Sequence, residues 1–97
     1  MDYTFEWDPA KAKTNAVKHD VSFEEAATTF LDPRAISVFD KDHSIHEERW
    51  VTLGISSFGR LIVLSHIFIE DKPLVRRVRI ISARRASKNE TRQYKDT

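Results

Sequence analysis

Residues 40–49, Asp-Lys-Asp-His-Ser-Ile-His-Glu-Glu-Arg, gather two histidines and four carboxylates beside an arginine. Histidine and carboxylate are the side chains that move protons near neutral pH, and a neighbouring guanidinium can stabilise charge building on a phosphorus centre. A second group lies downstream, where six of the fourteen residues in 72–85 are basic. If this segment is a strand, Val75, Arg77, Arg79, Ile81 and Ala83 share one face, while Leu74, Arg76, Val78, Ile80 and Ser82 share the other. Arg77 and Arg79 then stand about 7 Å apart, each able to grip a phosphate with two N–H groups. Arg84 and Arg85 extend the patch, so the expected ligand is a polyanion, with RNA foremost.

Each feature has a plainer reading. The arginines could form cross-strand ion pairs with Glu47 or Glu48, and residues 40–49 could be a solvated polar loop. Asp42, His43 and His46 could ligate a divalent cation, although no tight ligand spacing such as HxxxH on a helix supports this. Lys18-His19 closes a predicted helix, where cations favour the carbonyl end of the dipole. Tyr94 can stack on a base or anchor the last helix. Trp7 and Trp50 are expected to pack.

The elements that must position these groups are legible from periodicity and caps. Residues 3–7 alternate aromatic and polar side chains and read as a short strand. Asp8 is an N-cap and Pro9 suits a first helical turn, predicting a helix from 9 to about 18. Ser22-x-x-Glu25 is a capping box that opens a second helix over Phe23, Ala26, Ala27 and Phe30, ending near Leu31 before Asp32-Pro33. The period then becomes 2, with strands expected at 36–39, 49–56, 61–69 and 74–83, the middle pair joined by Ser57-Phe58-Gly59. Residues 61–69 are apolar on both faces apart from Ser65 and His66, as in a central strand. Ser87-x-x-Glu90 is another capping box and predicts a final helix over 88–96. The expected class is α+β: an N-terminal strand and two helices, an antiparallel sheet of three to four strands, and a short C-terminal helix.

With 97 residues, 40% hydrophobic and 32% charged, the chain is expected to form one domain spanning residues 1–97. Absence of cysteine excludes a disulfide framework, a thiolate nucleophile and thiolate-held metals. With only two glycines there is no phosphate-cradling loop. Neither a signal peptide nor a membrane span is expected, and the cytoplasm is the anticipated compartment. The net charge of +1 conceals a division: residues 1–71 hold 7 Lys/Arg against 13 Asp/Glu, and residues 72–97 hold 9 against 2. That asymmetry marks a polyanion surface beside an acidic region that could meet a basic partner.

The residues Phe5-x-Trp7-Asp8-Pro9-x-Lys11, Asn15-x-x-Lys18-His19, Phe23-Glu24-Glu25-Ala26, Phe30-x-Asp32, His43-x-x-x-Glu47-x-Arg49, Gly54 and Arg79-Ile80-Ile81-Ser82-Ala83-Arg84-x-Ala86 together resemble BrnT-type toxins over nearly the whole chain. The Arg-Ile-Ile-Ser-Ala-Arg run is the most specific part. The resemblance implies a RelE-like ribonuclease fold and a bacterial type II toxin that cleaves RNA. It also implies a BrnA-type ribbon-helix-helix antitoxin that alone contacts operator DNA. Its pattern marks Lys18, His19, His43, Glu47, Arg49, Arg79, Arg84 and Tyr94. Combined with the residue reading, the expected catalytic set is His43, Glu47, Arg49, Arg79 and Arg84, and the expected RNA contacts are Lys18, His19, Arg77, Arg85 and Tyr94, with no cofactor or metal. The alternative is a non-catalytic transcriptional corepressor that binds the antitoxin, or an RNA-binding module. Asp20 departs from the pattern, standing where members often carry glycine.

Overall fold

The computed structural model describes residues 2–97, apart from the side chains of Asp2, Glu70 and Asp71. Elements run β1 (Asp2–Glu6), α1 (Pro9–His19), α2 (Phe23–Ala27), β2 (Ile36–Phe39), β3 (Trp50–Ile55), β4 (Leu61–Asp71), β5 (Val75–Arg85) and α3 (Lys88–Lys95). A 3-10 turn, Thr28–Leu31, continues α2, and another, Lys41–His43, follows β2. No helix among the described residues is long and apolar enough to cross a membrane.

The α+β class holds, but the sheet is larger than expected. It has five strands in the order β1-β5-β4-β3-β2, because β1 pairs in parallel with β5. Alternation in β1 identifies its apolar face but carries no information about its neighbour. The neighbour follows from α1 and α2, which lie across one sheet face and bury Val21, Phe23 and Ala26 against Ile62, Leu64, Ile80 and Ala83. Phe5, Trp7 and Phe30 complete that core, with Trp7 edge-on to Phe23. On the opposite face α3 lowers Tyr94 onto Leu53 and Val63, covering only part of the sheet.

Local chemistry accounts for the helix ends. Asp8 accepts a hydrogen bond from the Ala10 N–H, and Ser87 and Glu90 form the complete reciprocal box that starts α3. The expected box at Ser22 is only half formed. Ser22 Oγ accepts the Glu25 N–H, but the Glu25 carboxylate turns inward to Arg60 and Ser56, pinning the β3–β4 turn to α2. That hydrogen bond from Arg60 holds the Glu25 carboxyl below its ordinary range. Gly54 admits the helix layer closely, since a Cβ there would lie 3.2 Å from Thr29 and Ala35.

Strand β5 is bulged. Ser82 pairs with Ser65 and Ile80 with His66, leaving Ile81 as the extra residue. The strict alternation expected across residues 74–83 therefore fails at Ile81. Ala83 joins Val78 and Ile80 on the helix face, and Ser82 passes to the other face.

Candidate active site

Strand β1 stops pairing at Glu6 with Arg79, so among the described residues the C-terminal half of β5 has no strand on the edge facing away from β4. Helix α1 takes that place. The buried Asn15 side chain donates to the Ala83 carbonyl at 2.8 Å and accepts from the Ala83 N–H at 3.1 Å, as a neighbouring strand would. It also donates to the Val21 carbonyl at 3.0 Å, tying in the turn that ends α1. This clamp brings the last turn of α1, with Lys18 and His19, to the edge of β5.

A groove of about 220 Å³ results, lined by His19, Asp40, Val51, Val63, Ser65, Ser82, Ala83 and Arg84. His43 joins it indirectly, its Nδ1 lying 2.9 Å from an Asp40 carboxylate oxygen. With the ring proton on Nδ1 donated to Asp40, Nε2 is left as the basic nitrogen. The loop over 40–49 is itself fastened. The Asp40 N–H donates to the Arg49 carbonyl at 2.8 Å, while Ser44 Oγ donates to the Asp40 carbonyl and accepts from the Arg49 N–H. Arg84 is held by two parallel bonds of 2.8 Å to Glu90 of α3. Those bonds push the Glu90 carboxyl down to about 2 and raise the Arg84 guanidinium further.

The other expected residues are distributed differently. Arg77 and Arg79 share a face, as alternation predicts, and both donate to Glu6, at 2.6 and 2.7 Å. Arg79 chiefly, with Arg77, holds the Glu6 carboxyl below its ordinary range. Their partner is thus a residue of β1, not Glu47 or Glu48. Glu47 pairs with Arg49 at 3.3 Å, and neither is among the residues lining the groove. Arg85 does not extend Arg84's patch: it sits opposite Ile62 on the helix face and reaches Asp20 at 3.1 Å. Tyr94 is only 8% exposed and donates to Asp32 at 2.5 Å, which raises its phenol. That is the geometry of an anchor for α3, not of a base-stacking ring. Among the described residues, no three His, Asp or Glu side chains converge as metal ligands.

Ser65, Ser82 and Asp40 belong to the groove although none is among the expected catalytic or RNA-contact residues. The polar break of Ser65 in an apolar strand and the i, i+3 spacing of Asp40 and His43 were the available signals. A larger cavity, about 490 Å³, opens on the helix side between Tyr3, Phe30, Trp50 and Phe68. Of the acidic loop it takes Glu48 alone, and it lacks the histidines and Arg84.

Residues 7–90 match the family described as "Ribonuclease toxin, BrnT, of type II toxin-antitoxin system". No curated protein matches the chain. The match spans well over half of the 97 residues, so the chain belongs to the BrnT toxin family.

Proposed function

From this membership in a family of type II toxin ribonucleases, we propose that the chain, acting as one domain in the cytoplasm, is a metal-independent endoribonuclease with a RelE-like fold. Its cleavage of RNA arrests translation and growth. A BrnA-type ribbon-helix-helix antitoxin neutralises it and makes the contacts to operator DNA.

The observation that carries this reading is the meeting of His19, the Asp40–His43 pair and Arg84 at one groove. In the proposed reaction the RNA 2′-oxygen forms a bond to the adjacent phosphorus and the bond to the 5′-oxygen breaks. His43 Nε2 takes the 2′-hydroxyl proton, and His19, across the groove, returns a proton to the departing 5′-oxygen. The products are a 2′,3′-cyclic phosphate and a 5′-hydroxyl. Arg84 neutralises the charge that grows on the phosphorane. Glu47, Arg49 and Arg79 stand further out in this scheme, as groups that hold flanking phosphates or orient the loop, with Lys18 beside His19.

Alanine variants of His43, Arg84 and Arg79, each checked for native circular dichroism and melting, test it. Loss of RNA cleavage and growth arrest in the His43 and Arg84 variants is expected, with cleavage by the parent unchanged in EDTA. Folded variants that cleave as the parent does would overturn the mechanism.

One observation favours a second reading. Arg77, Arg79, Arg84 and Arg85 are all already bound to carboxylates of this same chain, which suits a corepressor that binds its antitoxin without catalysis. Growth arrest with fully intact cellular RNA would select it.

A further inference from the structure

We infer that a single RNA strand lies along the bulged edge of β5, between α1 and the uncovered sheet face, and that Lys11 is a phosphate-binding residue on its path. This rests on the ribonuclease reading above and extends it from the scissile site to the flanking nucleotides.

Three grooves meet end to end along this edge. The first, about 330 Å³, is lined by Arg79, Ile80, Ile81 and Lys11 together with Glu6, Trp7 and Asp8. The second, about 350 Å³, shares Lys11 and Ile81 with the first and adds Lys18, His19 and Ser82. The third is the catalytic groove, which shares His19 and Ser82 with the second and ends at Arg84. Because neighbouring grooves share walls, they form one track that passes Arg79, Lys11, Lys18, His19 and Arg84 in turn. Arg84 lies five residues beyond Arg79, a run of roughly 16 Å at full extension, which suits an extended strand with several phosphates rather than a single anion.

Carboxylates also line the track, and each is engaged. Glu6 binds Arg77 and Arg79, Asp8 caps α1 through the Ala10 N–H, and Asp40 holds His43. Lys11 is exposed and supplies the cation where the first two grooves meet. Lys13 on the same helix is also exposed and lines none of the three. The early end of β1 explains why the track exists. With β1 ending at Arg79 and the bulge at Ile81, backbone and small side chains, rather than a sixth strand, form its floor.

The test uses a fluorescein-labelled 2′-O-methyl oligouridine, whose blocked 2′-oxygen prevents cleavage, and follows anisotropy across a salt series. Each phosphate contact on a single strand contributes about 0.7 to the slope of log affinity against log salt. Lys11→Gln is expected to weaken binding several-fold and to flatten the slope by about 0.7, while Lys13→Gln changes neither. If Lys11→Gln binds as Lys13→Gln does while Arg84→Gln flattens the slope, RNA binds at the catalytic groove but does not continue past Lys11, and the inference fails alone. If the parent binds the oligonucleotide without salt dependence, or not at all, the ribonuclease reading fails with it. Loss of poly-glutamate binding in Lys11→Gln, with oligonucleotide binding intact, would also overturn the inference by making the surface a protein interface.

Discussion

Both terminal nitrogens of Arg84 donate to the carboxylate of Glu90, six residues away on α3, at 2.8 Å each. The same carboxylate accepts the Ser87 N–H at 2.8 Å, so one residue starts the helix and orients the guanidinium. Glu90→Gln is expected to cost about 1 kcal/mol by urea denaturation at neutral pH, since the cap weakens and a partly exposed ion pair is lost. The folded-state carboxyl titrates near 2, below its ordinary value, so its contribution is present at neutral pH and disappears as pH falls through about 2. The stability gap between variant and parent therefore narrows in acid; a gap constant with pH would refute this account.

Asn15→Ala should be among the most destabilising single changes on α1. It leaves the Ala83 N–H and carbonyl and the Val21 carbonyl without their side-chain partner at the closed edge of β5. The expected loss is about 3 kcal/mol in a denaturant midpoint experiment. A variant within measurement error of the parent would show that water replaces the clamp.

His66 is fully buried, its Nε2 lying 2.7 Å from Thr52 Oγ1, its ring edge-on to Phe30 and Phe68, and its Nδ1 without a hydrogen-bond partner. Burial lowers its titration to about 4. The unfolded chain binds a proton there below about 6.5 and the folded chain does not until about 4. Stability from this residue is thus lost as pH falls across that window, by about 3 kcal/mol in all. Melting temperatures of His66→Gln should fall less steeply than the parent's over the same range.

Asp20 ends α1 at φ 57°, a left-handed conformation that favours glycine. Its exposed contacts with Arg60 and Arg85 add little against that strain. Asp20→Gly is expected to leave stability unchanged or raise it by about 0.5 kcal/mol. A drop of the same size would show that the ion pairs outweigh the backbone.

Asp40→Asn keeps the shape of the loop but removes the charge that holds His43. Under the proposed mechanism the cleavage rate falls by roughly one to two orders of magnitude, while affinity for the uncleavable oligonucleotide holds. Equal losses in rate and affinity would assign Asp40 to binding instead.

The residues alone determined what depends on near neighbours: the Asp8 and Ser87 caps, the helices they begin, the alternating strands and the basic final quarter. They also contained the two chemical groups, acid–base loop and arginine strand. Tertiary structure decided which members of those groups meet. Alternation names the apolar face of β1 but not its partner, and packing of α1 and α2 set that strand parallel to β5, which gave Arg77 and Arg79 to Glu6. One extra residue at Ile81 broke the period in β5, an irregularity that side-chain type does not announce. Adjacent arginines then parted, Arg84 to the groove and Arg85 to Asp20. His19 faces Arg84 only because Asn15 closes the strand edge across 68 residues of sequence. Contacts at such separation arise from how the whole core fills space, and no local pattern encodes them.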